Sequence, residues 1–175
     1  GACRLCIVEV EGQERLIPSC NNVVAEGMVI HTHSPRVREA RRVNLRLLLS
    51  QHEIRCTKCT RSGNCRLQQL ANDYNLLGEH YIKDLRNIPT DFSNPVVRIE
   101  NRCVRCMRCV EVCNKIQGIG ALRIDEIGTK AGVCLNGTKD WVDSTKCVRC
   151  GQCIMVCPTG ALMSTDNVDK AREIL

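Results

Sequence analysis

The 175 residues include fifteen cysteines but only 2% aromatics, with one Phe92 and one Trp141, and the formal net charge of +6 counts every cysteine as neutral. So small an aromatic content leaves a modest aliphatic core, so the cysteines must help hold the chain together, as disulfides or as metal ligands. Their odd number, their spacing and the lack of a secretory signal ahead of the first favour metal ligands over disulfides and predict a reducing, cytoplasmic setting, while no apolar run approaches the roughly 18 residues of a membrane span.

The chain opens on Gly1-Ala2-Cys3-Arg4-Leu5-Cys6, without an initiator methionine and with a metal-type C-x2-C pair already under way, so something is expected to precede it. Ile7 to Val10 and Arg15 to Pro18 read as two short strands around Glu11-Gly12-Gln13-Glu14, leading to Cys20. Cys3, Cys6 and Cys20 fit the last three ligands of a plant-type [2Fe-2S] site, whose pattern needs one earlier cysteine. A [2Fe-2S] cluster is therefore expected only if that cysteine is supplied; the other reading is three spare thiols. Val23 to Thr32 holds a further strand. Ser34-Pro35 then opens a helix with a capping residue and a proline at its first position. Val37, Ala40, Val43, Asn44, Leu47 and Leu48 give that helix its apolar face, and Arg36, Arg38, Arg41, Arg42 and Arg46 read as a solvated face or as a docking surface for an acidic partner.

His52, Cys56, Cys59 and Cys65 form H-x3-C-x2-C-x5-C. Three thiolates and an imidazole suit a Cys3His zinc site or a [4Fe-4S] cluster with one histidine ligand, and the cluster motifs on either side favour iron. His31, His33 and His80 have no such neighbours and read as surface or packing residues. Leu67, Leu70, Ala71 and Tyr74 mark an amphipathic helix that Gly78 can end, and the Pro- and Asn-containing segment from Lys83 to Pro95 reads as a connector.

Strands are expected at Val96 to Ile99 and Leu122 to Ile127. Around them lies an internal repeat: Cys103, Cys106, Cys109 and Cys113 form C-x2-C-x2-C-x3-C, and Cys147, Cys150, Cys153 and Cys157 repeat it 44 positions later. The neighbours repeat too, Arg102-Cys103-Val104-Arg105-Cys106 against Lys146-Cys147-Val148-Arg149-Cys150 and Gly120-Ala121-Leu122 against Gly160-Ala161-Leu162. Three thiolates on one tight loop can each take one iron of a cubane, leaving the fourth iron for a distant thiolate. In bacterial two-cluster ferredoxins the fourth cysteine of each run serves the other cluster. That rule assigns Cys103, Cys106, Cys109 and Cys157 to one [4Fe-4S] cluster, and Cys147, Cys150, Cys153 and Cys113 to a second. Pro158 is placed to start a helix aimed at the cluster, with Asn114 in its place in the first run. Cys134, in the Gly132 to Asp140 loop, fits neither run and reads as a free thiol. Asn167 to Leu175 begins a helix or linker.

These elements predict an α+β chain in pieces: 1–33 a partial [2Fe-2S] ferredoxin-like domain, 34–82 a small helical His-Cys3 domain, 83–95 a connector, 96–166 a two-[4Fe-4S] ferredoxin-like domain and 167–175 the start of a linker. Three [4Fe-4S] clusters follow. An oxidised cubane with four thiolates contributes about −2, and one with a neutral histidine about −1, so the loaded chain falls to about +1. Its basic balance is thus ligand compensation rather than a nucleic-acid signal. A zinc-stapled interaction module is the reading from another class, and it would hold no reducible centre.

In its order of motifs, and in Ile7-Val8-Glu9-Val10, Glu26-Gly27-Met28 and Ser62-Gly63-Asn64-Cys65, the whole chain resembles the N-terminal accessory region of [FeFe] hydrogenases. Less specifically it is similar to the corresponding regions of NAD-linked formate dehydrogenases and of the large subunit of complex I. The segment Asp169 to Leu175, which looks like the approach to the hydrogenase catalytic domain, favours the first. Complex I subunits often lack one of the twin clusters. The resemblance implies an electron relay from an external carrier, a ferredoxin or an NAD(P)H-linked flavoprotein subunit, to a catalytic hydrogenase domain or subunit. On the same resemblance this stretch alone moves electrons without making or consuming hydrogen; the alternatives are the electron-relay region of an NAD-linked formate dehydrogenase and a stand-alone polyferredoxin subunit.

Overall fold

The computed structural model describes residues 1–175 apart from 80, 82–84, 86–89, 91, 93, 127, 129–130, 136–145 and 175. The His80 reading, most of the connector, the end of the Leu122 to Ile127 strand and the far part of the Gly132 to Asp140 loop lie outside the described residues.

A short run rich in β-branched residues makes β1 (Ile7–Val10), with Ile7, Val8 and Val10 all buried. It is the centre of a three-stranded antiparallel sheet in the order β2-β1-β3, where β2 is Ile17–Pro18 and β3 is Ile30–His31. Register pairs Ile7 with Pro18 and Val10 with Ile30. Both outer strands are shorter than the sequence suggests; Val23 and Val24 stand in solvent, 90% and 76% exposed, because the chain swings wide before rejoining β1.

Helix α1 (Pro35–Ser50) begins where expected, with the Ser34 hydroxyl accepting from the Val37 amide at 3.2 Å. Its buried face differs from the expected one. Val37, Leu45 and Leu49 are buried, whereas Val43 and Leu47 are exposed by 45% and 63%. The buried stripe steps by four residues through Val37, Arg41, Leu45 and Leu49, and an arginine in the middle hides it from a count of apolar residues. Leu45→Ala is accordingly expected to cost about 2–5 kcal/mol of stability, and Leu47→Ala within about 0.5 kcal/mol, measured by chemical denaturation.

The arginines of α1 are also not simply solvated. Arg41 donates to the Ile7 carbonyl at 2.8 Å, and Arg36 reaches the Glu9 carboxylate and the Glu14 carbonyl, tying the helix to the sheet. Arg46 grips Glu79 with both arms, at 2.9 and 2.7 Å. The hydrogen bond from Arg46 holds the Glu79 carboxyl below its ordinary value of 4.5. A lowered folded-state pKa stabilises above the unfolded value and is lost as pH falls through the folded one. Glu79→Gln is therefore expected to destabilise at neutral pH and to lose that difference well below pH about 4.5, as paired denaturation curves at the two pH values would show.

Helix α2 (Arg66–Asp73) buries Leu67 and Ala71 against Leu45, Leu49 and Leu76. Gly78 does not end it. Asn75 takes the left-handed conformation (φ 54°), its amide donates to the Asn72 carbonyl at 2.9 Å and the Leu76 amide to the Ala71 carbonyl at 2.8 Å, a Schellman closure with asparagine in the usual glycine position.

The repeat builds a module with approximate two-fold symmetry. Strand β4 (Val96–Arg98), ahead of the first cysteine run, pairs antiparallel with β7 (Leu162–Ser164), after the second. Strand β5 (Leu122–Asp125), after the first run, pairs antiparallel with β6 (Gly132–Leu135), ahead of the second. Between them α3 (Arg108–Glu111) and α4 (Gln152–Met155) stand 44 residues apart, like the cysteines. The aliphatic core includes Val96, Leu122, Val133, Leu135 and Leu162. Cys134 is thus on a strand rather than a loop, because residues 132–135 pair along their length with β5, and it is buried with its thiol 3.6 Å from the Arg123 carbonyl. Helix α5 (Val168–Ile174) follows.

Pro158 does not start a helix. Proline cannot supply the amide that would extend α4, so the chain turns at once through Thr159 and Gly160 into β7. Where Asn114 replaces it, α3 runs on as a π-helical turn over Val112–Ile116.

Candidate metal centres

Each cysteine run is wound by residues in the left-handed region at matching positions: Arg105 (φ 54°) and Met107 (φ 65°) in the first, Arg149 (φ 57°) and Gly151 (φ 75°) in the second. Alternating left- and right-handed residues curl a loop around a point and turn backbone N–H groups inward, a concavity suited to anionic sulfur. The symmetry of the strands then carries the end of each run toward the start of the other. Cys103, Cys106, Cys109 and Cys157 line one enclosed, largely apolar cavity, together with Val133, Ala161 and Leu162. Cys113, Cys147, Cys150 and Cys153 line a second, with Val96, Ile119 and Leu135. Cys134 lines neither.

Crowded thiols in dry surroundings resist ionisation. Burial, then the neighbouring Cys103, Cys106 and Cys157, pushes the Cys109 thiol up to about 12. Burial followed by Cys147 and Cys150 pushes Cys153 up to about 11. Four thiolates in one such cavity need a cationic partner among them, and soft sulfur donors suit iron–sulfur cores.

The third set lies on a loop between α1 and α2. Cys56, Cys59 and Cys65 are half-buried, and burial first, then Cys65 and Cys59, raises the Cys56 thiol, while the nearby Arg102 guanidinium opposes the rise. His52 sits two residues beyond the end of α1, half-buried on the same loop, its amide donating to the Leu49 carbonyl. Among the described residues no three His, Cys, Asp or Glu side chains converge on a single metal ion.

At the N-terminus, Cys3, Cys6 and Cys20 share a cavity of about 330 Å³. Burial tends to raise the Cys6 thiol, but hydrogen bonds from Cys20 and Ser19 outweigh it and hold the thiol below its ordinary value. Cys106, Pro158 and Thr159 line the same cavity, so the N-terminal thiols share it with residues of the first repeat site.

Several contacts that hold the sites together have no signature in the sequence. Arg61 donates one nitrogen toward the carbonyls of Cys157 at 2.9 Å, Met155 at 3.3 Å and Ile154 at 3.5 Å. The buried Thr159 hydroxyl donates to the Arg102 carbonyl at 2.8 Å, and the Arg102 guanidinium lies 3.5 Å from Glu53. All join residues far apart in the chain, and only the fold reveals them.

Three family descriptions match successive parts of the chain: a 2Fe-2S iron-sulfur cluster binding domain over residues 1–35, the NADH-ubiquinone oxidoreductase-G iron-sulfur binding region over 41–79, and a 4Fe-4S dicluster domain over 102–161. The chain is 39% identical over 175 residues to the NADP-reducing hydrogenase subunit HndD of Solidesulfovibrio fructosivorans, matching 99% of its own length and 30% of that protein. Over 176 residues it is 38% identical to an NADH-quinone oxidoreductase subunit of Rhizobium meliloti (strain 1021), covering 98% of itself and 20% of the relative. A chain in the crystal structure of an NAD+-reducing [NiFe]-hydrogenase in the H2-reduced state superposes with a TM-score of 0.78 at 28% identity, over 94% of this chain and 69% of the other. The chain thus spans less than a third of the length of these two curated relatives. No described helix is long and apolar enough to cross a membrane.

Proposed function

Because this chain belongs to the iron–sulfur electron-transfer region shared by the HndD hydrogenase subunit and the matching NADH-quinone oxidoreductase subunits, we propose that it relays electrons to the catalytic iron site of an [FeFe] hydrogenase lying outside it. The external carrier at the other end is a ferredoxin or an NAD(P)H-linked flavoprotein subunit. The observation that carries this reading is the pair of cavities, each ringed by three thiols of one run and the last thiol of the other.

On this reading Cys103, Cys106, Cys109 and Cys157 hold one [4Fe-4S] cluster, Cys147, Cys150, Cys153 and Cys113 a second, and His52, Cys56, Cys59 and Cys65 a third. Cys3, Cys6 and Cys20 supply three ligands of a [2Fe-2S] site. Such clusters, when bound, take up and release one electron at a time with little change of shape. The chain's own residues hold the sulfurs in place and keep water out. The proton that burial and crowding keep on the Cys109 sulfur must leave as its site fills, so loading releases protons. Arg61, reaching the carbonyls of Ile154, Met155 and Cys157, holds the turn that carries Cys157.

A second reading has its own support. The matched [NiFe]-hydrogenase chain is covered over 69% of its length, which suits a separate electron-transfer subunit beside a hydrogenase as well as a region fused to one.

Anaerobic iron and acid-labile sulfide analysis with EPR of the dithionite-reduced protein tests the relay. About twelve irons are expected, or about fourteen with the [2Fe-2S] site filled. Zinc without sulfide would point instead to a stapled interaction module. Exposing the full-length protein to hydrogen with no other reductant tests the parent enzyme: reduced-cluster signals support a hydrogenase, and signals obtained only with NADH or formate argue for a dehydrogenase.

A further inference from the structure

The loop of Cys56, Cys59 and Cys65 meets the repeat module at the turn from Cys157 to Gly160. Besides the Arg61 clamp, the Cys65 sulfur lies 3.7 Å from the Pro158 carbonyl. The two parts also meet at Gly160, which is buried. A Cβ there would lie 2.5 Å from the Cys59 sulfur and 3.4 Å from the Thr60 hydroxyl, and the first of these is shorter than real Cβ contacts allow. Backbone strain does not explain this glycine, since it is not among the residues in the left-handed region. Its repeat counterpart Gly120 is the opposite case, with φ +67° and nothing nearer to a Cβ than Asn114 Oδ1 at 4.0 Å. One glycine serves the backbone; the other makes room for a sulfur.

The geometry points to Gly160 as a positioning residue for the centre formed by His52, Cys56, Cys59 and Cys65. Its missing side chain lets the Cys59 sulfur rest against the Cys157 turn, and so sets how closely that centre approaches the one ringed by Cys103, Cys106, Cys109 and Cys157. This role rests on the ligand sets proposed above. A free cysteine side chain can swing away from an added methyl by changing rotamer, but a sulfur bound to iron cannot. Alanine at position 160 must therefore displace either the ligand or the turn.

The test compares Gly160→Ala and Gly120→Ala with the unsubstituted protein, all purified anaerobically. Gly160→Ala is expected to lose or alter the EPR signal of the histidine-bearing centre, with iron down by up to about a third, while the twin-cluster signals persist. Gly120→Ala, which strains the backbone, is expected to leave that signal in place. Full iron and unchanged spectra in Gly160→Ala would overturn the role alone; no iron in the unsubstituted protein would overturn the relay and the role with it. Gly160→Cys supplies a readout that needs no cluster. After ferricyanide has stripped any clusters, Cys59 and the new thiol are expected to give up two protons and, to two ferricyanides, two electrons, forming a disulfide seen as a cross-linked peptide pair. Absence of that pair would contradict the contact itself.

Discussion

Replacing Cys157 with serine is expected to remove about four of about twelve irons and to abolish the signal of the cluster whose other ligands are Cys103, Cys106 and Cys109, 48 to 54 residues earlier. The cavity containing Cys157 holds none of the thiols of its own run, so a sequence-local assignment predicts the opposite loss. Cys113→Ser is the reciprocal change and is expected to cost the cluster of Cys147, Cys150 and Cys153. Cys134→Ser is the control, since its buried thiol faces a strand carbonyl rather than either cavity. Iron analysis with EPR on the three variants separates these cases. Loss of the Cys147 cluster in Cys157→Ser, or no loss at all, would contradict the crossed ligand sets.

Replacing His52 with cysteine is expected to keep the iron content and to lower the midpoint potential of one centre by on the order of 100 mV. The physical cause is charge. A neutral imidazole leaves the oxidised site at about −1, and a fourth thiolate takes it to about −2, which makes the added electron less welcome. Arg102, whose guanidinium opposes the rise of the Cys56 thiol, partly offsets that charge in either protein. An EPR-monitored redox titration measures the shift, and unaltered potentials in all centres would remove His52 from the ligand set.

Overall similarity does not separate a hydrogenase relative from an NADH-quinone oxidoreductase one. Identity to the two kinds of relative is 39% and 38%, over essentially the whole chain in both. The matched iron–sulfur region is common to both kinds of relative, and it spans less than a third of either. A relay sequence reports what its own loops bind, not where the electrons go next.

Much of the fold was legible because its strongest signals are local. Thiols three residues apart on a tight loop must lie close together, Ser34-Pro35 must begin a helix, and the β-branched run Ile7 to Val10 forms a buried strand. The 44-residue repeat of cysteines reappears as a 44-residue repeat of helices and of left-handed residues, since each run imposes the same backbone path. What went astray depended on competition between distant groups. Leu45 and Leu49 rather than Val43 and Leu47 are buried on α1 because Arg41 finds the Ile7 carbonyl and can join the inner stripe. Asn75 ends α2 ahead of Gly78 because two carbonyls of the last turn and the burial of Leu76 reward that closure. Cys134 sits on a strand because β5 offers it a ladder.

By itself, then, the sequence determined the kind of donor atoms, their grouping in threes and the presence of a repeat, all set by spacings of a few residues along one loop. The fourth thiol at each repeat cavity was reached by analogy with two-cluster ferredoxins, and the antiparallel pairing of β4 with β7 and β5 with β6 brings those thiols together. Tertiary structure alone decided how the sites sit against one another: Arg61 on the Cys157 turn, Thr159 on Arg102, and Gly160 against the Cys59 sulfur. Those contacts join residues 57 to 101 positions apart. Their energy comes from hydrogen-bonding carbonyls and excluding water in a space that exists only once the chain has folded, so no local pattern encodes them.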